Sequence, residues 1–199
     1  MKLYLSPGSP YARLVTITAL RCGKTHLKLE FVNPWENPKS LEMVNPFSQV
    51  PNLVTDDGVS ITNSLIICHY LDDSILRGSQ AAKYASFALA LMDQFLKYFS
   101  MIHRIGDAKQ PIPHPHIARS LAALKRALPL SPQLSVESED WSQYCLAVAF
   151  EFISREPELL KKYLSSQNQL AFKQFLEKPI MKKTSLESMP NYPKTLSDC

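Results

Sequence analysis

Between Asn45 and Asp72 the chain reads NPFSQVPNLVTDDGVSITNSLIICHYLD, and two points in it could hold a small anionic peptide. The first is Val50-Pro51. Proline opens a short run of β-type composition, Asn52 to Thr55, so the residue before it would present its main-chain N–H and C=O to an extended peptide. The second is Asn63-Ser64, two short polar residues ahead of the apolar run Leu65-Ile66-Ile67 that continues to Tyr70-Leu71. Such residues cap helices, and a bare helix N-terminus at Ser64 would favour a carboxylate. Ser9 stands before Pro10 in a similar cap-then-proline arrangement, and on its residues alone its role is that of an N-cap.

Other residue types give less. His69 lies near Asp72 and Asp73 and reads as a helix-surface residue; His114 and His116 flank Pro115 without the carboxylate or cysteine company of a metal site. His103 follows Tyr98, Phe99 and Ser100 and could line an apolar pocket between domains, although core packing is the better reading of those aromatics. Cys22, Cys68, Cys145 and Cys199 are scattered, with neither a C-x-x-C pair nor metal spacing, and the first three fall in apolar helical runs as small hydrophobes do. No Ser-His-Asp order stands out, and five glycines provide no phosphate-cradling loop.

These residues need a scaffold. Lys2 to Leu5 is a short strand, and a helix runs from Pro10 to a stop at Gly23. Leu27 to Val32 alternates as a second strand, and Ser40 to Val44 makes a short helix. Asp56-Asp57-Gly58 turns a hairpin whose return strand is Val59 to Ile61. The order β-α-β-(α)-β-β-α suits a thioredoxin-like sandwich. Beyond a junction at Arg77 to Gln80 the pattern is helical. Tyr84, Phe87, Ala88, Leu91, Phe95, Tyr98, Phe99 and Ile102 form one stripe, and prolines break Gly106 to Pro115. A second helix covers His116 to Leu128. Asp140 to Gln143 has capping-box spacing ahead of an almost wholly apolar helix, Tyr144 to Ile153, expected at the centre of this half. Two more helices follow, Glu156 to Ser165 and Asn168 to Lys178, with Pro179 as a stop and a tail from Thr184 that has little to bury.

The order NPxxxVPxL, DDG and N-S before a helix ending YLD resembles the N-terminal domain of the glutathione transferase superfamily. The likeness extends in layout to about residue 185, and the opening MKLYxSxxSPYxRxV with NPW after the second strand is similar to a bacterial group of that superfamily. The resemblance implies a thioredoxin-like α/β domain (1–76), an all-helical bundle (80–185) and a tail (186–199). It implies glutathione as substrate, no cofactor, no metal, conjugation to a small hydrophobic electrophile, a role in detoxification and a homodimer. Ser9 would then be catalytic, its hydroxyl stabilising the thiolate; Tyr4 and Tyr11 are rival donors. Val50 would pair with the cysteinyl unit, Gln49 would meet the glycyl carboxylate, and Asn63 and Ser64 would hold the γ-glutamyl end. Tyr11 and His103 would border the acceptor pocket. Pro10 replaces the cysteine some bacterial relatives carry, leaving no thiol there for mixed-disulfide chemistry. Gln49 and Asn63 are neutral where relatives often carry charge. A non-catalytic binding or regulatory protein with weakened glutathione affinity, as in the starvation-response branch, is therefore the alternative.

Bulk composition agrees with a packed protein: 45% of the 199 residues are hydrophobic and 20% charged. The net charge of +4 comes without a long basic run, so no nucleic-acid partner is expected; Lys161-Lys162 and Lys182-Lys183 read as solvated faces. No apolar run approaches a membrane span, MKLYLSPGSP lacks the apolar core of a signal peptide, and the thiols are unpaired in pattern, so a cytoplasmic location is expected.

Overall fold

A computed structural model describes residues 1–104, 115–185 and 187–199. The proline-broken stretch from Gly106, with His114 in it, lies outside the described residues up to Pro115. The chain divides into two compact units: Met1–Ile75 together with Leu176–Cys199, and Leu76–Phe175.

In the first unit, β1 (Lys2–Leu5), α1 (Pro10–Arg21) and β2 (Lys28–Phe31) form a strand–helix–strand crossover, with β1 and β2 parallel and Leu3 opposite Leu29. The short α2 (Lys39–Glu42) leads to β3 (Asn52–Val54), β4 (Ser60–Thr62) and α3 (Ser64–Leu71). β3 pairs antiparallel with β1 and β4 antiparallel with β3, so the sheet order is β2-β1-β3-β4. This is the thioredoxin-like sheet that the element order implies. The hairpin closes as its sequence demands: Thr55 N–H donates to Val59 O at 2.9 Å, and Gly58 takes φ +83°, where a Cβ would be strained.

Helix α1 is buried almost all round, which its mixed composition conceals. Its polar residues are satisfied without water. Thr16 and Thr18 donate to the Arg13 and Leu14 carbonyls at 2.8 and 2.7 Å. Arg13, 7% exposed, donates to Met181 O at 2.7 Å and Thr184 Oγ1 at 3.2 Å. Its partners belong to the end of α9 (Pro179–Lys183). Pro179, expected as a stop, does end one helix but also occupies the first position of this next one, where its missing N–H costs nothing.

The expected surface tail is not one. Leu196 is fully buried and Met189 nearly so. Leu29 N–H donates to Lys194 O at 2.8 Å, Leu196 N–H donates to Leu27 O at 2.9 Å, and Thr195 bridges Lys28 in antiparallel sense. Tyr192 meets the Phe31 ring edge-on at 4.9 Å. The segment thus pairs with the outer edge of β2, whose main-chain groups would otherwise face solvent. One leucine in a polar stretch has no periodicity, so sequence pattern missed the burial.

The second unit contains α4 (Ser79–Arg104), α5 (Pro115–Ala127), α6 (Trp141–Ile153), α7 (Pro157–Tyr163) and all of α8 (Ser166–Leu176) but its last residue. α6 is buried on nearly every side, as its apolar sequence requires. Phe152 meets Phe95 of α4 at 4.9 Å, Tyr144 meets Phe175 at 5.0 Å and Phe150 meets Phe172 at 6.0 Å, each edge-on. The expected capping box is half formed. Asp140 accepts the Ser142 N–H at 2.8 Å, but Gln143 does not reach back; its Oε1 accepts the Ser135 N–H at 2.9 Å in the preceding loop. Among the described residues no helix is long and apolar enough to cross a membrane.

Candidate functional site

The sheet pairings gather the candidate residues. β1 ends at Leu5 and passes through Ser6-Pro7-Gly8 into Ser9; β3 begins just after Val50-Pro51; β4 ends at Thr62, and Asn63 leads into α3. Tyr4 lies opposite Asn52, and Asn52 opposite Thr62. Both pairings are antiparallel, so the end of β1, the start of β3 and the end of β4 lie at one end of the sheet. The first residues of α1 and α3 start from that end.

Ser9 caps α1. Its Oγ accepts the Ala12 N–H at 3.2 Å, and its own N–H donates to Ser6 O at 3.0 Å. A hydroxyl has two acceptor lone pairs and one proton, so capping leaves the proton available. The cap and donor roles, which compete when only the sequence is considered, are therefore compatible. Ser9 is half-buried, as is Tyr11 in the first turn of α1.

Val50 precedes a cis peptide bond to Pro51. Among the described residues, no hydrogen bond joins the Val50 main chain to a neighbour. The loop that carries it is held by Asn45, a residue sequence reasoning passed over. Asn45 is fully buried; its Oδ1 accepts the Phe47 N–H at 3.1 Å and its Nδ2 donates to Gln49 O at 2.8 Å. Ser60 of β4 fastens the start of the loop, its Oγ donating to Val44 O at 2.6 Å. A two-armed asparagine ahead of a proline was the available signal, being the side chain best able to mimic a backbone turn. The Gln49 side chain is exposed.

Asn63 and Ser64 divide the start of α3 differently from the expectation of a bare N-terminus at Ser64. Asn63, at φ +70°, is the cap: its Oδ1 accepts the Leu65 N–H at 3.0 Å and the Ile66 N–H at 3.5 Å. Ser64 is the first helical residue and is 7% exposed. Among the described residues neither its N–H nor its Oγ takes a partner. The free donors at this end are thus one residue's main chain and hydroxyl, beside the Asn63 amide nitrogen.

His103 belongs to the helical unit. Its Nε2 lies 3.1 Å from Glu156 Oε1, and its ring lies tilted at 45° against Phe99, centroids 4.2 Å apart. Arg155 covers Phe152 at 4.8 Å, and burial lowers its pKa. This is a hydrogen-bonded His–Glu pair on an aromatic base, a structural use for a histidine expected at a pocket wall. His69 is exposed on α3.

None of Cys22, Cys68 and Cys199 shows a lowered pKa that would activate it as a nucleophile, and none of the four thiols forms a disulfide. Burial pushes Cys68 up to about 12 even though Thr18 lies 3.2 Å from its sulfur, and burial also raises Cys22. Cys22 is half-buried at the end of α1, not enclosed in the helix core as its surroundings in sequence suggested. No cluster of His, Cys, Asp or Glu among the described residues could hold a metal ion.

Comparison with known proteins bears on this arrangement. Residues 3–74 match the family described as "Glutathione S-transferase, N-terminal domain". Comparison with curated proteins gives no match. Among solved structures, a glutathione transferase family member from Pseudomonas fluorescens Pf-5 with bound S-(propanoic acid)-glutathione is similar at 21% identity and a TM-score of 0.75, over 92% of this chain and 98% of that one. A glutathione S-transferase from Methylobacillus flagellatus KT with glutathione bound is similar at 18% identity and 0.68, over 92% and 98%. Gtt2 from Saccharomyces cerevisiae is similar at 18% and 0.65, over 92% and 100%. Residues 3–74 therefore form a glutathione S-transferase N-terminal domain, and the chain as a whole shares the fold of these structures.

Proposed function

We propose that this protein binds reduced glutathione at the end of the sheet where β1 and β4 finish and β3 begins, and joins its sulfur to a small hydrophobic electrophile. The Val50 main chain pairs with the cysteinyl unit, Ser64 takes the γ-glutamyl carboxylate with Asn63 beside it, and Gln49 meets the glycyl carboxylate. The observation that carries the reading is the Ser9 hydroxyl proton, left available by the cap at the end of the sheet where the Val50 main chain has no partner among the described residues.

A thiol of pKa about 8.5 is mostly protonated at neutral pH, and the thiolate is the nucleophile. Lowering that pKa by about two units takes about 2.7 kcal/mol. A hydrogen bond to a charged group supplies about 1.5–3 kcal/mol and a helix N-terminus about 0.3–1, so Ser9 at the head of α1 meets the requirement. The thiol proton goes to solvent. With an aryl halide, a carbon–sulfur bond then forms, the carbon–halogen bond breaks and halide leaves with the bonding pair. Tyr11 borders the sulfur and contacts the electrophile.

Four cysteines outside any disulfide support a reducing, cytoplasmic setting, and detoxification is the physiological use this chemistry suits. A homodimer is the expected form: Met43, Phe47, Ile66 and Tyr70 leave a large apolar area of the first unit exposed. Light scattering at the mass of two chains checks this.

A second reading, binding without turnover, draws support from neutral Gln49 and from the Asn63 carbonyl being committed to its cap. Glutathione-agarose retention and a generic aryl-halide assay separate the two. The enzymatic reading expects retention, turnover, and a loss of about tenfold or more in kcat in Ser9→Ala, with the pKa of bound glutathione rising. Retention without turnover leaves the binding module; no retention removes both.

A further inference from the structure

We infer that the γ-glutamyl end of this site does not select for the ligand's α-amino group, so that the protein accepts γ-acyl-cysteinylglycine peptides with and without that amine about equally. The inference rests on the glutathione reading above and narrows it to a substrate class.

An ammonium group needs an acceptor. Asn63 is the residue expected to face it, and its amide oxygen has two lone pairs. Both are directed at α3, toward Leu65 N–H at 3.0 Å and Ile66 N–H at 3.5 Å. The amide nitrogen is then the atom turned away from the helix, and it only donates. Ser64 adds its unpartnered N–H and a hydroxyl that can donate, on a residue 7% exposed. From these two residues' free groups a carboxylate gains three donors, whereas an ammonium gains one lone pair, that of the Ser64 hydroxyl.

Among the described residues of the first unit, the carboxylates of the hairpin turn and of the far end of α3 do not make up the lack. Asp56 is paired with the chain's own amino terminus, and Asp57 with Thr55 in the hairpin turn. Asp72 and Asp73 lie past the far end of α3, about 12 Å along the helix at 1.5 Å per residue. The Asn63 backbone makes the arrangement persistent: at φ +70° asparagine is among the few residues tolerated, and the two cap bonds fix its side chain.

The test is calorimetric titration of the full chain with glutathione and with glutaryl-cysteinylglycine, the same peptide lacking the amine. The expected result is dissociation constants within about threefold of each other. Asn63→Asp keeps the capping oxygen and turns a second carboxylate oxygen outward where the amide nitrogen was. This variant is expected to prefer glutathione by about tenfold or more, the size of one charge-assisted hydrogen bond; thermal melting confirms that it folds, and Asn63→Glu serves as the second variant. A wild-type preference for glutathione above tenfold overturns the inference and leaves glutathione binding in place. Failure of both peptides to bind overturns the inference together with the reading beneath it.

Discussion

The Arg13 guanidinium on the first helix donates to the Thr184 hydroxyl, 171 positions later, across 3.2 Å inside the protein. A second nitrogen donates to Met181 O at 2.7 Å. Burial pulls the guanidinium down to about 10, still far enough above neutrality for it to remain charged at pH 7. A buried cation is tolerated because carbonyl and hydroxyl oxygens at the end of α9 replace its water. These bonds join the C-terminal segment to the thioredoxin-like sheet's first helix.

Arg13→Met is therefore expected to lower stability by about 2–4 kcal/mol, since it deletes charge-assisted bonds and strands a buried carbonyl. Thr184→Val should cost about 1 kcal/mol. The double variant should cost less than the two added together, because both remove the same contact. Urea unfolding of the four proteins measures this, and an Arg13→Met loss under about 0.5 kcal/mol would show the contact to be incidental.

The C-terminal strand-like segment makes a second prediction. Leu196 is fully buried and its neighbours cover the β2 edge. Leu196→Ala should cost about 2–4 kcal/mol. Removing residues 194–199 should do more than destabilise, because it uncovers the Leu27 and Leu29 main chain as an open sheet edge. Concentration-dependent association of the truncated chain, seen by sedimentation, is the expected sign. A truncated chain as stable and as dispersed as the full one would mean that the segment lies on the surface after all.

Cys68 gives a pH dependence whose sign is fixed. Its folded-state pKa is raised by burial to about 12, above the ~8.5 of an exposed thiol. Between those values the unfolded chain loses the thiol proton while the native protein keeps it. The contribution of Cys68 is complete below about pH 8.5 and is lost as pH rises toward 12, at up to about 1.4 kcal/mol per pH unit. Cys68→Ala should flatten the alkaline limb of the stability curve by that slope after its constant cavity cost is subtracted. An unchanged limb would refute the assignment. Native Cys68 should also resist a thiol reagent that labels the half-buried Cys22 and Cys199.

Much of this was legible in the residues. Asp56-Asp57-Gly58, Ser9-Pro10 and the apolar periods of α4 and α6 report interactions within a few positions of each other. A turn needing positive φ, a proline at a helix start and a helix face repeating every three to four residues are local physics, and they placed most elements within a residue or two. The resemblance carried by NPxxxVPxL and the residues after it supplied the fold that this order of elements allowed.

Single polar residues with distant or ambiguous partners were not legible. Arg13 drew no reading beyond its place in a helix, Asn45 was passed over, Leu196 fell in a tail with little to bury, and Gln143 read as half of a capping box. Each finds its use only when another segment supplies the missing half: the end of α9, the Gln49 carbonyl, the edge of β2, the Ser135 N–H. Asn63 is the sharpest case. The sequence by itself determined that an amide stands before α3, because side-chain type and helix boundary are local properties. Only the tertiary structure decided that its oxygen turns inward to the helix and its nitrogen outward, because a hydrogen bond has direction and the chain must be folded before that direction exists.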